Sequence, residues 1–171
     1  MATTPLNLGF LSILQEGNGY LGGYLVTNVW GRPLEFRLSS AVQPNKVQQI
    51  LYGDTLVPYI CGDLIGKTLV DKAGVPVQLV VTSCEQALDL RLKLEVPVVW
   101  LTTADDARAG LILPEQRGGL VFHASQAGDR ATVEEYLKQI EGNMDLTEPF
   151  SRVREAITEA RRMGVTGRSA A

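Results

Sequence analysis

Apolar and polar positions alternate in different rhythms along the chain, and each rhythm predicts an element. Residues 6–15 are mostly apolar and read as a strand. The next four residues, Glu16-Gly17-Asn18-Gly19, contain Asn-Gly, a hairpin signal because both residues tolerate positive φ. The return strand runs from Tyr20 to about Asn28. Its Gly22-Gly23 pair points to a bulge or to close approach by another part of the chain. After a turn at residues 29–33, Leu34, Phe36 and Leu38 alternate with Glu35, Arg37 and Ser39. One face of this three-stranded antiparallel meander is therefore wet or covered by something polar.

Helical spacing takes over at Pro44, with Val47, Ile50 and Leu51 three and four apart and Gly53 beyond them. A second helix is predicted within residues 58–72, where Ile60, Leu64, Ile65 and Leu69 keep helical period and Gly74 follows as a cap. Residues 75–82 and 96–102 are continuous apolar runs. Between them Ser83 and Gln86 have the spacing of a capping box for a helix starting at Cys84. Strand, helix and strand with both strands apolar predict a βαβ unit with a parallel pair. A short strand is expected at residues 119–125 and a helix from Thr132 to Ile140. A last helix begins at Thr147, carries Phe150, Val153, Ile157 and Ala160 on one stripe, and stops at Gly164.

The predicted fold class is α/β with α+β character: a three-stranded antiparallel N-terminal meander, a helical pair, then a βαβ unit with C-terminal helices, in one mixed sheet. Residues 1–164 are expected to form a single compact domain, with 165–171 as a loose tail.

Composition narrows the function classes. The 171 residues carry 16 Lys and Arg against 19 Asp and Glu, a net charge of −3 that argues against nucleic-acid binding through overall charge. The expected partner is a protein or a second copy of the chain, with no nucleic acid and no membrane. One His and two Cys are too few for standard zinc sites, so neither metal nor cofactor is expected. Nowhere do 18 apolar residues run together, and the start of the chain lacks a basic stretch before an apolar one. With two widely spaced cysteines, this composition suggests a reducing cytoplasm.

Two motifs imitate nucleotide sites. Gly66-Lys67-Thr68 has Cys61 where a phosphate-binding loop needs its first glycine, and it falls in a predicted helix. Gly17-x-Gly19-x-x-Gly22 lies in a hairpin and not at a strand-to-helix turn, so no helix dipole faces a pyrophosphate. Cys84 is predicted at the start of a helix and the carboxyl end of a parallel strand, where a thiol is activated. His123 is the one imidazole available as its base. Thr82, Ser83, Thr102 and Thr103 would supply hydroxyls to an anionic ligand at the same strand ends, with Asp105 or Asp106 as a further acid or base.

The stretch around residues 28–37 clusters Asn28, Trp30, Arg32 and Arg37 about a tight turn, with Tyr24 on the neighbouring strand. Trp and Arg are favoured at interface hot spots. The arginines of the last helix are interleaved with glutamates and read as a solvated face. With no convergent catalytic set in the sequence, the expected function is a non-catalytic protein-binding or self-assembly module. It would act through the Trp30/Arg32/Arg37 hairpin. The alternative is a small ligand-binding domain or thiol enzyme at the strand ends near Thr82, Cys84 and Thr102.

Overall fold

The computed structural model describes residues 5–140 and 142–164; the predicted tail at 165–171 lies outside them. Seven strands form one mixed sheet in the order β3-β2-β1-β4-β5-β7-β6. The meander is β1 (Leu8–Glu16), β2 (Gly19–Thr27) and β3 (Pro33–Leu38). β4 (Leu79–Thr82) lies parallel to β1, and β5 (Val98–Thr102) parallel to β4. β7 (Gly119–Phe122) runs antiparallel to β5, and the two-residue β6 (Leu111–Ile112) pairs antiparallel with β7. The mixed α/β sheet and its N-terminal meander are as the hydrophobic pattern predicts.

Local chemistry adjusts several boundaries. The first hairpin turns on Gly17-Asn18, one residue before Asn-Gly, because Gly17 takes the positive φ (56°) as first central residue while Glu16 pairs with Gly19. Gly22 and Gly23 make no bulge; the register shift lies at Val26/Thr27. They permit close approach on both faces instead. A Cβ at Gly22 would meet Ile65 at 2.3 Å, and one at Gly23 would meet Ile157 and Val153 at 2.9 Å.

Helical segments cover both faces of the sheet. α1 (Lys46–Tyr52) is capped reciprocally by Asn45 and Gln48, yet its apolar residues Val47, Ile50 and Leu51 face solvent. α2 (Leu56–Pro58), a π segment (Tyr59–Lys67) and α3 (Thr68–Lys72) then run on from one another. The predicted crossover helix is a 3₁₀ segment, Glu85–Lys93, starting at Cys84 without a side-chain cap because the Ser83 hydroxyl bonds Ser12 instead. α4 (Asp129–Ile140) and α5 (Glu148–Arg162) complete the chain, α4 starting three residues before its expected Thr132.

Side-chain alternation along the strands divides the interior in two. Phe10, Leu25, Val81, Val99 and Leu120 pack with Val133, Phe150, Val153 and Ile157 of α4 and α5. Leu11, Val26, Val80 and Val98 pack with Ile60, Cys61, Ile65 and Leu69 from the π segment and α3, and with Ala87 and Leu90 of the 3₁₀ segment. The central strands read as unbroken apolar runs because both of their faces are covered.

Candidate functional site

The second of these layers brings the two cysteines together. β4 delivers Cys84 just beyond its carboxyl end, and the π segment delivers Cys61 from the helical layer over the same face. Both thiols are free, and their sulfurs lie 3.9 Å apart. Cys61 is buried and Cys84 half-buried. The Cys61 S–H shared with Cys84 lowers the Cys84 thiol below its ordinary value; burial opposes this, and the backbone N–H groups of Gln86 and Ala87 add to it. The same contact, with burial, pushes the Cys61 thiol up. Tyr20 belongs to the same apolar layer, its phenol raised by burial first and then by the charge of the two sulfurs.

The hydroxyls around Cys84 are occupied internally. Thr82 Oγ1 donates to the Leu11 carbonyl at 3.0 Å and accepts the Cys84 N–H at 3.1 Å. The Ser83 and Ser12 hydroxyls are 3.1 Å apart, and Thr102 Oγ1 donates to Asp106 at 3.0 Å. Thr103 is exposed, and its carbonyl accepts the Asp106 N–H at 3.2 Å. These groups lock the strand ends together and do not converge as an anion cradle. Asp106 is held well below the usual carboxylate range by the Arg108 guanidinium and N–H, with Thr102 adding a smaller share.

His123 does not join Cys84. It follows β7, whose antiparallel pairing sets Phe122 opposite Val99 near the amino end of β5; Cys84 follows β4, where Thr82 is opposite Trp100. The imidazole instead bonds Asp89 at 3.0 Å and Ser125 Oγ at 2.8 Å. Strand direction sends the two residues to opposite ends of the sheet, and β5 stands between β4 and β7. The expected thiol–imidazole pair is corrected accordingly.

The hairpin surface is corrected as well. Tyr24 is only 1% exposed and belongs to the core. Asn28 Oδ1 accepts the N–H groups of Trp30 and Arg32, both at 3.0 Å, and so builds the turn. Arg37 is half-buried and donates to Glu35 at 2.7 Å. Glu35 in turn accepts the backbone N–H groups of Gly74 and Val75, so the polar face of β3 is covered by that loop. Only Trp30 and Arg32 are exposed, and the five residues do not form one docking surface.

Sequence reasoning missed the Cys61–Cys84 contact because the residues are 23 apart and Cys61 has the surroundings of a core residue. It also missed an open cavity of about 640 Å³ lined by Ile112, Leu137, Met144 and Leu146 with Arg117 and Asp145, none of them an expected site residue. Among the described residues no three His, Cys, Asp or Glu side chains gather where they would hold a metal ion. No described helix is long and apolar enough to cross a membrane.

Neither a protein-family model nor a curated protein matches the chain. Among solved structures it is similar to Endonuclease V of Ciona intestinalis in complex with a 24mer DNA containing an inosine followed by a ribo-adenosine. The identity is 10% and the TM-score 0.35; the match covers 81% of this chain and 58% of that one. The chain thus spans less than two thirds of that endonuclease. That neighbour holds DNA; the non-catalytic protein-binding reading, and the exclusion of nucleic acid that net charge had suggested, are not carried further. The likeness is too slight to carry a reading of activity or ligand here.

Proposed function

We propose that the chain is a redox-responsive protein whose Cys61 and Cys84 interconvert between dithiol and disulfide. The observation that carries this reading is the 3.9 Å contact between two free thiols on separate elements, one of them half-buried at a 3₁₀ N-terminus. A disulfide needs sulfurs at about 2.05 Å, so closure requires a movement of about 2 Å shared between two side chains. The π geometry of the segment bearing Cys61 also supports it, since π turns recur at functional sites.

The chemistry balances with a low-molecular-weight disulfide as oxidant. The Cys84 thiolate attacks one sulfur of that disulfide, expelling a thiolate and leaving a mixed disulfide on Cys84. Cys61, its proton passed to solvent, then attacks the Cys84 sulfur and expels the second thiolate. The protein loses two hydrogens and the oxidant becomes two thiols. Cys84 is the entry point because it is the more exposed and the more ionised of the pair.

The test is equilibration of the folded protein in a glutathione buffer poised at about −180 mV, followed by acid quench and intact mass. Loss of two hydrogens, with a tryptic fragment linking Cys61 to Cys84, is the expected result. In C61S the expected product is a stable glutathione adduct on Cys84. Wild-type protein that stays fully reduced and unmodified under this poise would overturn the reading.

A further inference from the structure

We propose that Ser125, His123 and Asp89 form a nucleophile–base–orienter unit that cleaves small, uncharged acyl esters, an activity separate from the cysteine pair. The chain builds it locally. β7 ends at Phe122, and the carbonyl of the next residue, His123, accepts the Gln126 N–H at 3.0 Å. That turn folds Ser125 back onto the imidazole. The Ser125 N–H donates to Nδ1 at 3.2 Å, which identifies Nδ1 as the nitrogen without a proton. Nε2 therefore carries the hydrogen and donates it to Asp89 Oδ1 at 3.0 Å, while the Ser125 hydroxyl lies 2.8 Å from Nδ1. A hydroxyl aimed at the lone pair of a base that a carboxylate orients is the arrangement that makes serine nucleophilic. The roles of the two ring nitrogens are interchanged relative to the usual serine hydrolase, which does not alter the proton transfer.

The surroundings decide what it would take. His123 and Ala124 line a cleft of about 450 Å³ with Leu88, Trp100, Val121 and Phe122. These side chains suit a short apolar acyl or alcohol group. At its far side Arg108 lies 4.7 Å over the Trp100 ring and is bonded to both Glu85 and Asp106. Glu85 and Asp106 neutralise that guanidinium and Asp89 adds a further carboxylate to the cleft wall, so an anionic ester is disfavoured. Arg91 steadies the loop from behind: it donates to Gln126 at 3.3 Å and to Asp129 at 2.7 Å.

In the reaction Ser125 Oγ bonds to the carbonyl carbon as its proton passes to His123 Nδ1, and the imidazolium is held by Asp89. The carbon–oxygen bond to the alcohol then breaks, and the departing alkoxide takes the proton from Nδ1. Water repeats the cycle on the acyl-serine and releases the acid.

The probes are p-nitrophenyl acetate and butyrate for turnover, and a fluorophosphonate for covalent capture. The structure predicts one phosphonyl adduct per folded chain, mapped to Ser125. Turnover should fall by about 10²-fold or more in S125A and H123Q, and by a smaller factor in D89N. Ser125 is exposed, so S125A should unfold as the wild type does, and equal thermal midpoints separate lost chemistry from lost fold. Absence of an adduct at Ser125 in folded wild-type protein, or ester turnover in S125A equal to wild type, would overturn the proposal. The experiment is run with both cysteines reduced, so its outcome does not depend on the redox reading.

Discussion

The phenol of Tyr24 lies against the backbone of Gly9, so close that a Cβ built there would stand 2.3 Å from its hydroxyl oxygen. Tyr24 faces Leu11 across the β1–β2 pair and Gly9 faces Val26, so the two are diagonal neighbours on one face. The hydroxyl is buried and has no hydrogen-bond partner among the described residues. Burial, followed by the nearby Glu35 charge, pushes the phenol far above its ordinary range. An unpaired buried hydroxyl costs about 1–3 kcal/mol relative to an apolar group of the same shape. Tyr24→Phe is therefore expected to leave the unfolding midpoint unchanged or to raise it. A loss above about 1 kcal/mol in urea unfolding would reveal a partner for the hydroxyl, such as a buried water. Gly9→Ala should destabilise by about 1–3 kcal/mol through overpacking, and Tyr24→Leu in the same chain should recover much of that.

Arg91 and Asp129 make a second decisive pair. Nε and Nη2 of the guanidinium reach the two carboxylate oxygens at 2.7 and 3.2 Å, with both side chains largely buried. The pair ties the 3₁₀ segment to the first turn of α4, where a negative charge also suits the helix dipole. Removing one partner of such a pair strands the other, at a cost of about 3–5 kcal/mol. Arg91→Met is expected to show a loss of that size by chemical denaturation. It should also loosen the loop bearing Ser125, seen as faster amide hydrogen exchange at residues 124–128 than at residues in β4. Unchanged exchange there would mean that the loop is held by other contacts.

Most of the sheet was legible in the sequence because period-two alternation and unbroken apolar runs report burial directly. The alternation of Leu34, Phe36 and Leu38 with Glu35 and Arg37 identified β3 and its polar face, and the loop amides of Gly74 and Val75 provide the cover. What failed was whatever depends on direction and distance between remote elements. The sequence around His123 signals a strand but not its antiparallel sense, and that sense separates His123 from Cys84. Helical spacing in α1 signals a helix but not whether Val47, Ile50 and Leu51 are covered. Cys61 and Asp89 had ordinary settings in their own segments, and each acquires a chemical partner only through tertiary contact. The aromatic–arginine cluster of the hairpin was misleading because Asn28 and Arg37 satisfy their own chain.

Glu35 links that hairpin to stability at low pH. Burial raises its carboxyl, but the backbone N–H groups of Gly74 and Val75 and the Arg37 guanidinium outweigh burial and hold it below the usual carboxylate range. A carboxyl lowered in the folded state contributes stability above its unfolded value, about 4.3, and loses that contribution as pH falls through the folded value. Glu35→Gln should therefore cost about 1–2 kcal/mol at neutral pH, from the lost charged hydrogen bonds. The gap to wild type should narrow as pH falls from about 5 towards 3. A gap that stays constant over that range would show that the ionised form is not what the Gly74 and Val75 amides hold.

The cysteine pair makes a kinetic prediction that needs no oxidant. Alkylation by iodoacetamide follows the thiolate fraction and access. Cys84 is half-buried and its thiol is lowered, whereas Cys61 is buried and its thiol is raised. Under native conditions Cys84 should be modified first, and Cys61 only at the rate of unfolding. As pH rises, the Cys84 rate should reach half its maximum below the ordinary cysteine value of about 8.5. The first cause of that lowering is the hydrogen shared by Cys61, which C61A removes while the amides of Gln86 and Ala87 remain. The midpoint of the alkylation profile should therefore move to higher pH in C61A, retaining part of the depression. A midpoint unmoved by C61A would assign the activation to the backbone amides alone, and equal alkylation of both cysteines in native protein would contradict the burial that separates them.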